Sequence, residues 1–206
     1  MSILLPTAYL PPIAYMVECM HSERITIEAF ETYKKQTSRN HCTIYGPNGK
    51  QRLSVPVIKV DGNHTLTKDI RISYSQNWQK VHWRSIETAC NNSPFFLFYR
   101  DHLEPFYFKK FDFLLDFNAK LMEVLFNIFR IEKQIDFTDH FENPANIPIN
   151  HFFPPYTQVF SVKSGFLPDL SIIDLLFNLG PETVEYLKGC SFTTDLTDLH
   201  RLNTDY

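Results

Sequence analysis

Short apolar segments alternate with a helical pattern at the start of the chain. Residues 2–5 are a short apolar run, residues 25–29 have the pattern of a second strand, and residues 13–21 between them repeat apolar side chains at helical spacing behind Pro12. Proline is well tolerated at the first position of a helix, where its missing N–H leaves no bond unmade. The pattern predicts a strand–turn–helix–strand unit, and such α/β units bind ligands beyond the carboxyl ends of their strands.

Apolar and polar residues alternate with a period of two on either side of the sequence GPNG at residues 46–49. Residues 41–45 precede this turn and residues 52–57 follow it, and such alternation is typical of half-buried strands. Asn48 and Gly49 are residue types that adopt the positive φ angles of a hairpin turn. We therefore predict a β-hairpin here.

The remaining pattern is mostly helical. It predicts a strand over residues 69–73, a helix over 76–91, a long core helix over 107–131 with a kink or break, an irregular proline-rich segment over 143–156, and closing helices over 170–177 and from Pro181. The predicted fold class is α/β. One domain over residues 1–206 contains a small mixed sheet with the N-terminal strand–turn–helix unit and the hairpin, followed by a mainly helical C-terminal part.

Charge divides the chain in two. Residues 1–103 contain twelve Lys and Arg against eight Asp and Glu, whereas residues 104–206 contain eight against fifteen, so the net charge of −3 combines a basic and an acidic part. The basic excess favours a small anionic ligand and is too small for a nucleic-acid binder. The charged residues that interrupt the apolar helix over 107–131 argue against a membrane span.

The four cysteines are far apart and form no C-x-x-C pair. This spacing predicts reduced, mostly buried thiols in a cytoplasmic protein, and no signal peptide is apparent at the N-terminus. The sequence also lacks a P-loop, a G-x-G-x-x-G, a G-x-S-x-G and a histidine spacing typical of metal sites, so it predicts no metal and no cofactor.

The polar segment over residues 33–56 is the main candidate binding surface. It holds five of the twenty Lys and Arg residues, and arginine and lysine are the usual ligands of phosphate and carboxylate. The alternative is a solvated basic face. Because solvated surface charge alone does not require amides and a histidine nearby, we expect a substrate site here. Its candidates are Lys34, Lys35, Gln36, Arg39, Asn40 and Lys50, with His41 as catalytic base.

Two further groups of residues are candidates. Thr7 and Tyr9 follow the first strand, where backbone N–H groups at a helix N-terminus bind anions. His82, beside Trp78 on the predicted helix, is a second catalytic candidate with Trp78 as a stacking surface. The alternative for both groups is a structural role, in the turn and in the core.

Three blocks of sequence resemble the WbqC-like protein family. They are LPTAYLPP at residues 5–12, YKKQTSRNHC at 33–42, and residues 78–86 followed by SPFF at 93–96; the closing LSIIDLLFNLGP is similar to the family's C-terminal signature. Many members have His-Gln-Pro before the Tyr-Leu-Pro, and this chain has Leu5, Pro6 and Thr7 there. The resemblance therefore brings no histidine to this position.

The resemblance implies a role in bacterial surface polysaccharide biosynthesis, such as that of O-antigen. We expect a cytoplasmic protein that binds an anionic activated precursor, for example a nucleotide-linked amino sugar, and transfers a group to it. A non-catalytic scaffold, partnered by a second copy of the chain or by a biosynthetic enzyme, is the alternative. A nucleotidyltransferase is a weaker alternative, because such enzymes use a histidine pair at the first helix start, which is absent here.

Overall fold

The computed structural model describes residues 2–145 and 152–190. In chain order, its strands and α-helices are β1 (Ser2–Pro6), α1 (Ile13–His21), β2 (Arg24–Glu28), β3 (His41–Gly46), β4 (Gly49–Ser54), β5 (Val57–Ile58), β6 (Arg71–Ile72), α2 (Trp78–Cys90), α3 (Phe96–Leu103), α4 (Leu114–Phe129), β7 (Ile135–Phe137), α5 (Ser161–Ser164), α6 (Ile172–Leu179) and α7 (Thr183–Gly189). The predicted α/β class, with small sheets and a mainly helical C-terminal part, is confirmed.

A parallel sheet with the strand order β1-β2-β7 lies at the centre of the site described below. Leu5 of β1 pairs with Ile27 of β2, which in turn pairs with Phe137 of β7. Helix α1 connects the first two strands, as the apolar pattern predicts. The third strand comes from more than a hundred residues further along the chain, so the carboxyl ends of three distant segments meet at one edge.

The hairpin β3–β4 is a separate antiparallel sheet, with His41 opposite Ser54 and Gly46 opposite Gly49. Gly49 has the expected positive φ angle of 101°. The prediction was wrong for Asn48, which is not among the residues with positive φ. Val57 was also predicted to continue this hairpin, but it lies in β5, which pairs with β6.

Aromatic side chains fill the core between the sheets and the helices. Phe117 of α4 packs edge-on against Trp78 of α2, and Trp83 stacks on Tyr107. Each large aromatic ring buries about 150–250 Å² on folding, which explains why a chain with nineteen phenylalanines packs around a few small sheets. The four cysteines are buried and unpaired, as predicted.

Several boundaries differ from the predicted ones. The long helix begins at Leu114 rather than residue 107, because the 3₁₀ turn Glu104–Tyr107 precedes it. The strand predicted over 69–73 is only β6, since the 3₁₀ turn Thr67–Asp69 takes its start. Helix α3 and strand β7 were not predicted: the first is a short apolar run without clear period, and the second has three residues in a charged stretch. Residues 146–151 of the predicted irregular segment lie outside the described residues.

Candidate functional site

Buried polar side chains gather where the three parallel strands end. Thr7 follows β1, Thr138 follows β7, and Glu28 is the last residue of β2. The Glu28 carboxylate is completely buried and accepts backbone N–H bonds from Phe30 at 2.6 Å and from Glu142 at 2.9 Å. It therefore ties the segment after β2 to the segment after β7.

A buried ion pair holds the loop after β2. The Arg39 guanidinium donates from Nε to Oε1 of Glu31 at 2.6 Å and from Nη2 to Oε2 at 2.7 Å. The two side chains are 6% and 2% exposed. Such a bidentate arrangement is the strongest form of this contact. The third guanidinium nitrogen, Nη1, donates to the Thr37 hydroxyl at 3.1 Å.

Asn118 of α4 joins the loops that follow β1 and β2. Its Nδ2 donates to Thr7 Oγ1 at 3.1 Å and to the Arg39 carbonyl oxygen at 2.8 Å. The backbone N–H of Tyr9 also donates to the Ser38 carbonyl at 2.8 Å, which links the same two loops. We call the group of Thr7, Glu31, Arg39 and Asn118 the carboxyl-edge site.

Two cationic side chains stand on a tight turn next to this site. Residues 34–37, which we call the lysine turn, are closed by a hydrogen bond from the Thr37 hydroxyl to the Lys34 carbonyl. Lys34, Lys35 and Gln36 are exposed, and Gln36 has a φ of 57°. Because Arg39 also binds Thr37, the ion pair fixes the turn beside the carboxyl-edge site. Lys35 is at most about 14 Å along the chain from Arg39.

The structure places Tyr9, His82 and Trp78 in the core rather than in an open site. The Tyr9 hydroxyl lies 3.0 Å from His82 Nδ1 and 2.8 Å from the Tyr107 hydroxyl, and the Trp78 ring packs edge-on against the imidazole. Burial lowers the pKa of His82 to about 4, although a backbone hydrogen bond at Ser54 acts against it. His82 is therefore neutral at pH 7, and its catalytic role stays a prediction.

His41 is half-buried at the start of β3, directly opposite Ser54 of β4. It lines a pocket of about 80 Å³ with residues that include Ser38, Thr43 and Asp169. Burial and then the nearby Arg52 charge lower its pKa. A pocket of that size is far below the roughly 300–1,000 Å³ of ordinary ligand sites, so His41 does not form the floor of a substrate pocket by itself.

The other hairpin candidates are spread along its length. Asn40 donates from Nδ2 to the Val55 carbonyl at 3.0 Å and so fastens the hairpin base. Lys50 is exposed and pairs with Tyr45 of β3. Tyr45 is four residues after His41, which is roughly 14 Å along a strand. Lys50 therefore lies at the turn end of the hairpin, and its role as a substrate ligand stays a prediction.

The turn after β1 is also arranged differently from the prediction. Helix α1 begins at Ile13, and its first N–H groups are bonded by the 169–170 segment: Ile13 N donates to the Leu170 carbonyl and Ala14 N to Asp169 Oδ1. Thr7 and Tyr9 are thus not at a helix N-terminus. Thr7 takes part through its hydroxyl instead.

Sequence reasoning missed Glu28, Glu31 and Asn118. The signal for the first two was present in the sequence RITIEAFE, where carboxylates follow an apolar strand at the edge at which ligands bind. No comparable signal marked Asn118, because one amide on a long amphipathic helix is common. Its role depends on which loops the helix touches.

Exposed apolar side chains occur on helix α3 and shortly after it. Leu97, Phe98 and Phe108 are 69%, 71% and 74% exposed. Phe108 borders a groove of about 490 Å³ with residues of α2 that include Lys80 and Arg84. Large exposed aromatic residues beside a groove are a feature of interaction surfaces.

Within residues 2–145 and 152–190, no cluster of three or more His, Cys, Asp or Glu side chains is suited to a metal ion. The same part of the chain contains no helix with the length and apolar character that crossing a membrane requires.

The fold and site define an α/β protein with a group of buried polar residues at the carboxyl edge of a small parallel sheet. Residues 7–146 match the model of the WbqC-like protein family, and the chain belongs to that family. It is also 24% identical over 196 residues to the uncharacterized protein Rv1507c of Mycobacterium tuberculosis, an alignment that covers 77% of this chain and 84% of that protein. No solved structure matches the chain.

Proposed function

We propose that this protein binds a small anionic activated precursor, such as a nucleotide-linked amino sugar, and transfers a group to it during bacterial surface polysaccharide biosynthesis. The observation that carries the proposal is the carboxyl-edge site with its lysine turn. Buried charges and amides are unfavourable unless they are paired. The presence of several such residues at the edge where α/β proteins bind ligands supports a binding site.

In this proposal the cationic residues have different roles from those that the sequence alone suggested. Arg39 is engaged by Glu31 on two nitrogens and by Thr37 on the third, so we give it the positioning of the lysine turn. Lys34 and Lys35 are exposed and are the phosphate ligands in this proposal. His41, whose lowered pKa keeps it neutral at pH 7, is the base rather than the fully enclosed His82.

Calorimetric titration with nucleotides, nucleotide-sugars and acyl-thioesters tests the proposal. The double variant Lys34→Ala/Lys35→Ala should bind the wild-type ligand at least about tenfold more weakly, because each charge-assisted contact contributes about 1.5–3 kcal/mol. Lys188→Ala is the matched control, because Lys188 is exposed. It lies two residues before Cys190, whose carbonyl oxygen is 3.4 Å from Nε2 of His21, the last residue of α1. Equal binding by the double variant and wild type would contradict the proposal.

A second candidate is a non-catalytic scaffold, which the exposed Leu97, Phe98 and Phe108 favour. Sedimentation of the wild type and of Phe98→Ser/Phe108→Ser tests self-association through this surface. An oligomer that the double variant dissociates would support the scaffold. Monomers in both samples, together with a bound precursor, would support the first proposal.

A further inference from the structure

The pocket beside His41 lies between strand β3 and the segment that precedes α6, and we call it the His41 pocket. His41 and Thr43 line it from alternate positions of β3, so their side chains lie on one face of the strand. Asp169 and Ser171 line it from the other segment. Ser38 also lines it and directly follows the lysine turn, so the pocket is next to that turn.

Hydrogen bonds hold Asp169 in place beside the pocket. The N–H of Ser171 donates to the Thr43 carbonyl at 2.8 Å, and its hydroxyl donates to the Leu10 carbonyl at 2.8 Å. Asp169 Oδ1 itself accepts the N–H of Ala14 at 2.9 Å. A carboxylate has about four acceptor positions on its two oxygens, so the bond from α1 occupies only part of its capacity.

Unusual backbone conformations occur around the same pocket. Four described residues other than glycine have a positive φ angle: Leu10 at 41°, Gln36 at 57°, Arg130 at 55° and Asp169 at 52°. Asp169 lines the pocket, Leu10 accepts the Ser171 hydroxyl, and Gln36 belongs to the lysine turn. Such conformations are unfavourable, and they persist where the surrounding structure imposes them, frequently at ligand-binding sites.

The charge and size of the His41 pocket fit an amino group. Since the lowered pKa keeps His41 neutral at pH 7, Asp169 is the charged residue among those that line the pocket. Its carboxylate repels a phosphate and attracts an ammonium group. The volume of about 80 Å³ is several times what one water requires, which leaves room for an amino group and the carbon that bears it.

We propose that the His41 pocket binds the amino group of the precursor's sugar, with Asp169 accepting its N–H bonds and the lysine turn holding the phosphates outside. This inference rests on the proposed function and names the part of the ligand that enters the pocket. Three residues separate Lys35 from Ser38, at most about 11 Å along the chain, so one nucleotide-linked sugar can reach from the turn to the pocket. The amine then lies beside His41, the base in the proposed function.

Asp169→Asn is the variant that tests the role of the charge. Asparagine keeps an oxygen for the N–H of Ala14 and tolerates a positive φ angle, so the variant removes the charge without removing the contact to α1. Asp116→Asn is the matched control, because Asp116 is an exposed acidic residue in the first turn of α4.

Calorimetric titration compares amino sugars linked to UDP, GDP or dTDP with counterparts that have a hydroxyl in place of the amino group. The wild type and Asp116→Asn should bind an amino sugar at least about tenfold more tightly than its counterpart, because a hydrogen bond between charged groups is the stronger one. Asp169→Asn should lose this preference and keep the affinity for the counterpart. Lys34→Ala/Lys35→Ala should bind both ligands more weakly.

The outcomes distinguish the two proposals. Equal binding of both ligands by the wild type, or a preference that Asp169→Asn retains, overturns the amino-group pocket and leaves the proposed function standing. No binding of any of these ligands overturns both. A crystal structure of the wild-type complex gives an independent reading if Asp169→Asn is poorly folded. An amino nitrogen within about 3.2 Å of an Asp169 carboxylate oxygen supports the pocket, and an amino nitrogen elsewhere overturns it.

Discussion

At the residue scale, the pair of Arg39 and Glu31 shows how a cationic residue in a polar segment can be structural. Both side chains are buried and every guanidinium nitrogen has a partner. Each charge is tolerated in the interior only because the other is present. The pair therefore stabilises the loop from which Lys34 and Lys35 project.

Arg39→Ala should destabilise the protein by about 3–5 kcal/mol, because it leaves the Glu31 carboxylate buried without its partner. The free energy of unfolding in urea measures this loss. Arg52→Ala is the control, since Arg52 is exposed on β4, and such surface changes stay within about 0.5 kcal/mol. A loss below about 1 kcal/mol for Arg39→Ala would contradict the structural role.

His82 makes stability depend on pH. Its folded-state pKa of about 4 is below the ordinary value of about 6.5, so the unfolded chain binds the proton more readily. Above pH 6.5 the burial of neutral His82 takes nothing from the free energy of unfolding. That free energy decreases as the pH falls from 6.5 towards 4, and below pH 4 His82 causes no further decrease.

The expected loss from His82 is up to about 3 kcal/mol between pH 6.5 and 4. Urea unfolding of the wild type and His82→Gln across this range measures it, because the difference between the two proteins isolates this histidine from the others. The wild-type curve should fall more steeply. Parallel curves would show that the imidazole is not kept neutral by burial.

At the element scale, the junction between α6 and α7 depends on a glycine. Gly180 has a φ of 55°, and a Cβ placed on it would lie 2.5 Å from the ring of Phe95. The N–H of Phe95 also donates to the Phe177 carbonyl at 3.0 Å. The segment before α3 is thus packed onto the end of α6, and a side chain at residue 180 has no room.

Gly180→Ala should destabilise the protein by about 2–4 kcal/mol, from left-handed backbone strain together with overpacking against the ring. Gly189→Ala is the matched control in the same region, because no atom lies within 4 Å of its added methyl group and alanine favours the helix. Thermal unfolding compares the two. A Gly180→Ala protein as stable as wild type would contradict the packing at this junction.

At the scale of the whole molecule, the basic and acidic parts of the sequence share one core. Strand β7 completes the sheet begun by β1 and β2. Trp78 and Trp83 of the basic part pack on Phe117 and Tyr107 of the acidic part. Neither part buries its apolar surface alone, and the single domain over residues 1–206 stays a prediction.

Unfolding should therefore follow one cooperative transition. Tryptophan fluorescence reports on α2 in the basic part, and far-UV circular dichroism reports on the helices of both parts. Coincident urea curves from the two probes are expected for a shared core. Separated midpoints would show that residues 1–103 and 104–206 unfold as independent units.

Local patterns in the sequence were sufficient for much of the fold. The β1–α1–β2 unit, the β3–β4 hairpin and helix α2 have spacing, turn residues and a proline start that act within a few residues of each other. Strand β7 was missed because three residues carry too little periodicity. Its position depends on pairing with Ile25–Ile27, over a hundred residues away.

The sequence by itself determined the class of fold, the buried thiols and the polar segment that follows β2, because composition and short-range periodicity specify these. Only the tertiary structure decided which polar residues meet. In the fold, Arg39 pairs with Glu31 rather than lying at the surface, Lys50 lies at the turn end of the hairpin, and Asn118 donates a hydrogen bond to Thr7. Such partners are chosen by which loops are adjacent after the core has packed, and adjacency between distant segments has no local signature in the chain.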